Sequence, residues 1–214
     1  KSSDGQDWNI ERLIREEIRQ PINGTTCGGT HRLMGMTYAI RRRQQEGKPL
    51  DGEFQRASVF TDRYRQMAYD MQNADGTFSS DFWRSRGNWG DMDRKLKTTG
   101  HVLEWMIFTL PHEQLQDPRL VAAVDWLSTM MLENRYYDFE KGPIGHGIRA
   151  LSLYDERVYG GTPGKRNYEI AEMPPRLTPR TGVSNVGPPQ STTSPAPAPQ
   201  PQRRRGIFGG FRRR

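Results

Sequence analysis

No stretch of this chain alternates apolar and polar residues with the period of two that a half-buried strand requires. Apolar positions instead recur three and four residues apart in window after window. That periodicity excludes a sheet and predicts six helices. The first covers residues 7–20, with Trp8, Ile10, Leu13, Ile14 and Ile18 at helical intervals, and is stopped by Pro21 and the segment NGTTCGG. A second runs over 30–45. A third runs over 53–72, with Phe54, Ala57, Val59, Phe60, Tyr64, Met67, Ala68 and Met71 mostly on one side. A loop rich in Gly, Asp and Trp leads to the fourth, TTGHVLEWMIFTL, from Thr98 to Leu110. The fifth covers 118–134, where Pro118 suits the first helical position and Asp117 its N-cap. The sixth starts near Gly145 and fades by Tyr159.

Composition divides the chain in two. From Met173 to Arg214 there are eight Arg, no acid, and nine of the fifteen Pro. The net charge is +7, so residues 1–172 carry 7 − 8 = −1. The basic character therefore belongs to the tail, and residues 1–172 give no electrostatic argument for nucleic-acid binding. We expect a helical domain over 1–172 and a disordered, Pro-rich tail over 173–214 that ends in RRRGIFGGFRRR. The paired Arg triplets and Ile207, Phe208 and Phe211 leave anionic lipid, nucleic acid and a protein partner as open alternatives for the tail. Cys27 is the only cysteine, so no intrachain disulfide is possible, and no apolar run is long enough to span a membrane. The chain begins with Lys rather than Met, which leads us to expect a fragment or processed product. Localisation is not legible.

Three times a small residue (Thr30, Gly100, Gly145) precedes a His and then an apolar run. The helices thus form three hairpins, each joining an amphipathic helix to a His-headed one, a pattern of helical repetition. Offsets 2, 5, 6 and 9 from the histidines give one apolar stripe: Leu33, Met36, Thr37 and Ile40, then Leu103, Met106, Ile107 and Leu110, with a weaker copy from Ile148 to Asp155. Offsets 3, 4 and 7 share the face of each His and give a mixed stripe that includes Tyr38, Glu104, Trp105, Phe108 and Arg149. Helices buried on one dry and one mixed side suit an inner ring around a cavity. The bland alternative is an irregular bundle in which each His caps a neighbouring helix.

The segment QMAYDMQNADGTF carries Gln72, Asp75, Gly76 and Phe78 in a Gln-x-x-Asp-Gly-x-Phe arrangement. This resembles the repeat of the terpenoid cyclase and protein prenyltransferase superfamily, the α/α toroids. The resemblance covers roughly residues 7–160 and implies an all-α toroid segment of about three hairpins, half of such a ring. It is a resemblance of fold, and the motif's own chemistry is architectural. Squalene-type cyclases protonate substrate with Asp-x-Asp-Asp; here Asp91 and Asp93 are followed by Arg94, which should pair with them and keep them ionised, unlike an acid catalyst. Prenyltransferase-like toroids hold zinc through Asp, Cys and His, and lanthionine-cyclase-like toroids through Cys and His. Cys27 and His31, four apart, would suit one metal on a helix, but two glycines intervene. No cofactor is therefore expected, and zinc on Cys27 and His31 stands as the alternative. GGTPGKRNY lacks phosphate-loop spacing, and neither a Ser-centred elbow nor HExxH occurs.

These readings converge on a toroid domain whose central cavity binds or processes an unidentified ligand. His31, His101, His146 and Glu104 are the candidate acid–base residues, and Tyr38, Trp105, Phe108, Arg149, Asp91 and Asp93 the candidate ligand contacts. A non-catalytic helical scaffold with a basic tether is the alternative. Whether the three imidazoles share one cavity discriminates the two.

Overall fold

The structure, a computed structural model, describes residues 1–162. Over these residues it is all-α: α1 (Ile10–Arg19), α2 (Thr30–Gln45), α3 (Gly52–Asp70), α4 (Met92–Thr109), α5 (Pro118–Glu133) and α6 (Lys141–Tyr159), with two short 3₁₀ turns and no strand. The expected tail, 173–214, lies outside the described residues. None of the described helices is long and apolar enough to cross a membrane.

Local chemistry starts the helices where the sequence provides it. Asn9, Asp91 and Asp117 each accept a hydrogen bond from a first-turn amide of α1, α4 and α5, which supplies a partner that the helix lacks. Pro118 follows as the first residue of α5. Two expected boundaries are corrected. Helix α4 begins six residues before Thr98, because Asp91 caps it and the charged turn Asp93–Lys97, which reads as loop, is its first. Helix α6 begins at Lys141 rather than near Gly145. His31 is thus the second residue of its helix, but His101 is the tenth and His146 the sixth of theirs.

The core sits around α4. Every residue from Thr98 to Ile107 is buried, so this helix is surrounded rather than amphipathic. It packs on α2, α5 and most extensively α6, while α3 packs on α1 and α2. The tight α4–α6 crossing is made by glycines. A Cβ on Gly100 would lie 3.2 Å from the backbone nitrogen of Gly147 and 3.3 Å from its Cα. Gly145, noted in the sequence for its place before His146, faces open space. This crossing turns Gly147, Ala150, Leu153 and Tyr154 inward, so the third apolar stripe fails: Ile148 is 51% exposed. Helix α1 is also less buried than its periodicity suggests, with Ile14 inside and Trp8, Ile10 and Leu13 about half exposed. Ile14 joins Met36, Ile40, Phe54 and Ala57 in a small second cluster between α1, α2 and α3.

The Gln-x-x-Asp-Gly-x-Phe turn is architectural. The Gln72 amide donates to the carbonyls of Gly76 and Arg119, at 2.9 and 2.8 Å, and so ties the turn to α5. Gly76 adopts φ +88° where a Cβ would meet the Ala122 carbonyl oxygen at 2.5 Å, so no side chain fits. Asp75 accepts from the amide and hydroxyl of Thr77, and Phe78 is buried in the core.

Candidate metal and acid–base centre

The three helices bring His31, His101 and His146 together. Ring centroids lie 5.3 Å apart for His31 and His101, 5.1 Å for His31 and His146, and 3.7 Å for His101 and His146. The last pair stacks with its planes 32° apart, a closeness that the Gly100–Gly147 crossing permits.

Cys27 joins them through an unusual backbone. Cys27, Gly28 and Gly29 are consecutively left-handed, with φ of 51°, 62° and 76°. At a non-glycine residue this conformation costs roughly 1–3 kcal/mol and persists only where its surroundings enforce it. The surroundings here are the loop after the QNADGTF turn. Phe82, itself at φ +55°, lies where a Cβ on Gly28 would sit, 2.2 Å from the ring's Cγ. The buried Trp83 indole Nε1 donates to the Gly28 carbonyl at 2.6 Å. The segment CGGTH is thus no continuous helix, as the two glycines suggested. The left-handed turn nevertheless gathers one donor atom each from Cys27, His31 and His101 within 4.8 Å of one another.

The protonation of His101 is set by its neighbours. Its Nδ1 lies 2.6 Å from the Lys97 carbonyl, an acceptor only, so Nδ1 carries the proton and Nε2 presents a lone pair. Burial, then the nearby His146 and His31, push its pKa down to about 4, so the ring is neutral at pH 7. His101 is 3% exposed, and its Nε2 is buried with no hydrogen-bond partner. One ring nitrogen is thus anchored on a carbonyl, and the other is left bare in a residue whose donor lies within 4.8 Å of those of Cys27 and His31. Tetrahedral zinc bonds of about 2.0–2.3 Å place donors roughly 3.3–3.8 Å apart, so side-chain adjustments of about 1 Å would close the set.

Beside it, His146 Nδ1 pairs with Glu104 Oε2 at 2.6 Å, and Arg149 Nε lies 3.3 Å from the other carboxylate oxygen. Glu104 is 9% exposed, while His31 and Arg149 are open to solvent. Trp105 walls a cavity of about 50 Å³ that it shares with the three histidines and Glu104. That volume admits a water or an ion. A cavity of about 150 Å³ is what a benzene ring needs. Of the central cavity expected from the sequence, the described residues show this small space between the three imidazoles, Glu104 and Trp105.

The remaining expected contacts are elsewhere. Tyr38 and Phe108 stack on each other, 4.5 Å apart, and Arg41 covers Phe108. Asp91 caps α4, and Asp93 accepts from the Tyr137 hydroxyl and the Glu140 amide, which fixes the approach to α6. Arg94 does not pair with either acid as expected. Its guanidinium donates to the Ser80 carbonyl and lies over the Trp89 ring. Sequence reasoning missed Phe82, Trp83 and Gly147, which position the centre without belonging to it. The bulky FW pair inside a Gly-rich loop was the available signal. No known protein family, curated protein or solved structure matches this chain.

Proposed function

We propose that Cys27, His31 and His101 bind one divalent transition-metal ion, with zinc the best fit to a thiolate and two imidazoles, and that the His146–Glu104 pair serves as the adjoining base. The observation that carries this reading is the buried, unpartnered Nε2 of His101, because a buried acceptor without a partner is costly unless something fills its lone pair. Three protein donors with one face open to solvent match a catalytic rather than a closed structural zinc site. When bound, such an ion polarises a coordinated oxygen and eases loss of its proton. His146, held in one tautomer by Glu104, is placed to accept it. We further read the six helices as a segment of an α/α toroid. The successive packing of α2, α4 and α6 and the Gln72 turn support that reading. In a non-catalytic scaffold the same donors would close around a structural ion, so an exchangeable, solvent-open coordination position separates the two readings.

The test is cobalt(II) or zinc titration of the chelator-stripped full chain. We expect about one tightly held ion per chain and, with cobalt, a thiolate charge-transfer band that Cys27→Ser abolishes. No tight binding, or a band that survives Cys27→Ser, overturns the proposal.

A further inference from the structure

Against Cys27 lies a second cavity of about 210 Å³. Asn23, Cys27, Asp81, Arg84, Arg94 and Lys97 are among its walls. We infer that it is a binding pocket for a small oxyanion, a carboxylate or phosphate group, delivered against Cys27. The pocket stands on its own lining. Only its purpose, presenting an anionic ligand to the metal centre, rests on the reading above.

Three observations point to an anion. The first is charge. Three cations and one acid, Asp81, line the cavity, and among the described residues none of the three cations forms an ion pair. Elsewhere on the domain the cations commonly do, as Arg15 with Glu53, Arg43 with Asp51 and Arg119 with Asp117. Asp81 is itself engaged by the Ser85 hydroxyl at 3.0 Å rather than by a cation. A cleft walled by one sign of charge concentrates ions of the other.

The second observation is an unmet donor. The Arg94 guanidinium is held by the Ser80 carbonyl and the faces of Trp89 and Phe82, yet its Nε is buried and donates to nothing. A planar guanidinium with donors to spare is suited to a carboxylate or phosphate. The third is connection. Lys97 lines this pocket, while its carbonyl holds His101 in the tautomer described above. Cys27 belongs to the wall here and to the donor cluster there. An oxyanion seated in this pocket is therefore adjacent to the thiol.

Because Cys27 is the only thiol, its alkylation reads the pocket directly. The chelator-stripped full chain is treated with iodoacetate, which is anionic, and with iodoacetamide, which is neutral and of similar size. The ratio of the two rates is referenced to the urea-unfolded chain. We expect the folded ratio to exceed the unfolded one by about tenfold, the lower end of what charge focusing supplies, and to fall steeply with salt. Millimolar inorganic phosphate should suppress the iodoacetate rate more than the iodoacetamide rate in the unaltered chain. Arg84→Gln and Lys97→Gln, each checked for retained helicity, should bring the ratio down toward one. A ratio near one in the unaltered chain, or one indifferent to phosphate and to both substitutions, overturns the inference. The metal proposal is scored separately: zinc should shield Cys27 from both reagents alike. Absence of shielding with a persistent anion preference would sink the metal reading and leave the oxyanion pocket standing.

Discussion

A neutral, buried imidazole makes the stability of the metal-free domain depend on pH in a defined direction. The pKa of His101 is lowered to about 4 by burial and by its two histidine neighbours, whereas an unfolded histidine titrates near 6.5. Between these values the unfolded chain binds the proton and the folded chain does not. Stability therefore rises with pH across this window and is lost as the pH falls from about 6.5 toward 4. The full effect is on the order of 3 kcal/mol. Urea unfolding of the chelated protein at a series of pH values should show this slope, and His101→Gln should flatten it. A second residue-scale expectation concerns Trp83, whose indole anchors the left-handed turn through the Gly28 carbonyl. Trp83→Phe keeps most of the buried ring and leaves that carbonyl unpaired. It should cost about 1 kcal/mol and weaken metal binding, whereas a mutation that merely loosened packing would spare the metal. Calorimetric melting and zinc titration of the same variant separate the outcomes.

At the scale of elements, the crossing of α4 and α6 decides whether the imidazoles meet. Alanine in place of a helical glycine ordinarily stabilises by up to about 1 kcal/mol. At Gly100 the new methyl group would press on the Gly147 backbone, so Gly100→Ala should destabilise by about 1–3 kcal/mol and part His101 from His146. Gly145→Ala, on the same α6 but facing open space, should be neutral or stabilising. Thermal melts of the two variants must differ in sign; equal effects would mean that the helices do not cross as described. These same helices show how far sequence reading reaches. The bounds of α2, the Asp117–Pro118 start of α5 and the end of α6 follow from local signals of capping, proline geometry and periodicity. The start of α4 does not, because Asp93, Arg94, Lys95 and Lys97 look like a solvated loop until Asp91 is recognised as a cap. The convergence of the histidines was legible as equal spacing from apolar stripes. Its actual cause, glycine contact between helices distant in sequence, is tertiary and leaves no local signature. Cys27 was discounted for its glycines, although those glycines are what allow the left-handed turn that brings it in.

For the whole molecule, charge is the separable quantity. Removing residues 173–214 takes away +8 and leaves −1 on the rest of the chain. The truncated protein should melt within about 0.5 kcal/mol of the intact one, the scale of changes that disturb no packed feature. Any salt-sensitive binding to anionic vesicles or single-stranded oligonucleotides should disappear with the tail. Retention of that binding with the same salt slope would place it on the helical domain instead.

The complete burial of α4 from Thr98 to Ile107 has a kinetic consequence. Amides wrapped on all sides exchange with solvent only when the domain opens globally, while half-exposed segments exchange through smaller, more frequent openings. His101 and Glu104 therefore ride on the slowest-exchanging stretch of backbone. His31, exposed at the first turn of α2 behind a left-handed loop, is expected to ride on a faster one. The candidate centre is then expected to open and re-form by excursions of the Cys27–His31 edge alone. Deuterium uptake over residues 25–33 should accordingly slow when a ligand bridges that edge to α4, with uptake in α4 itself unchanged.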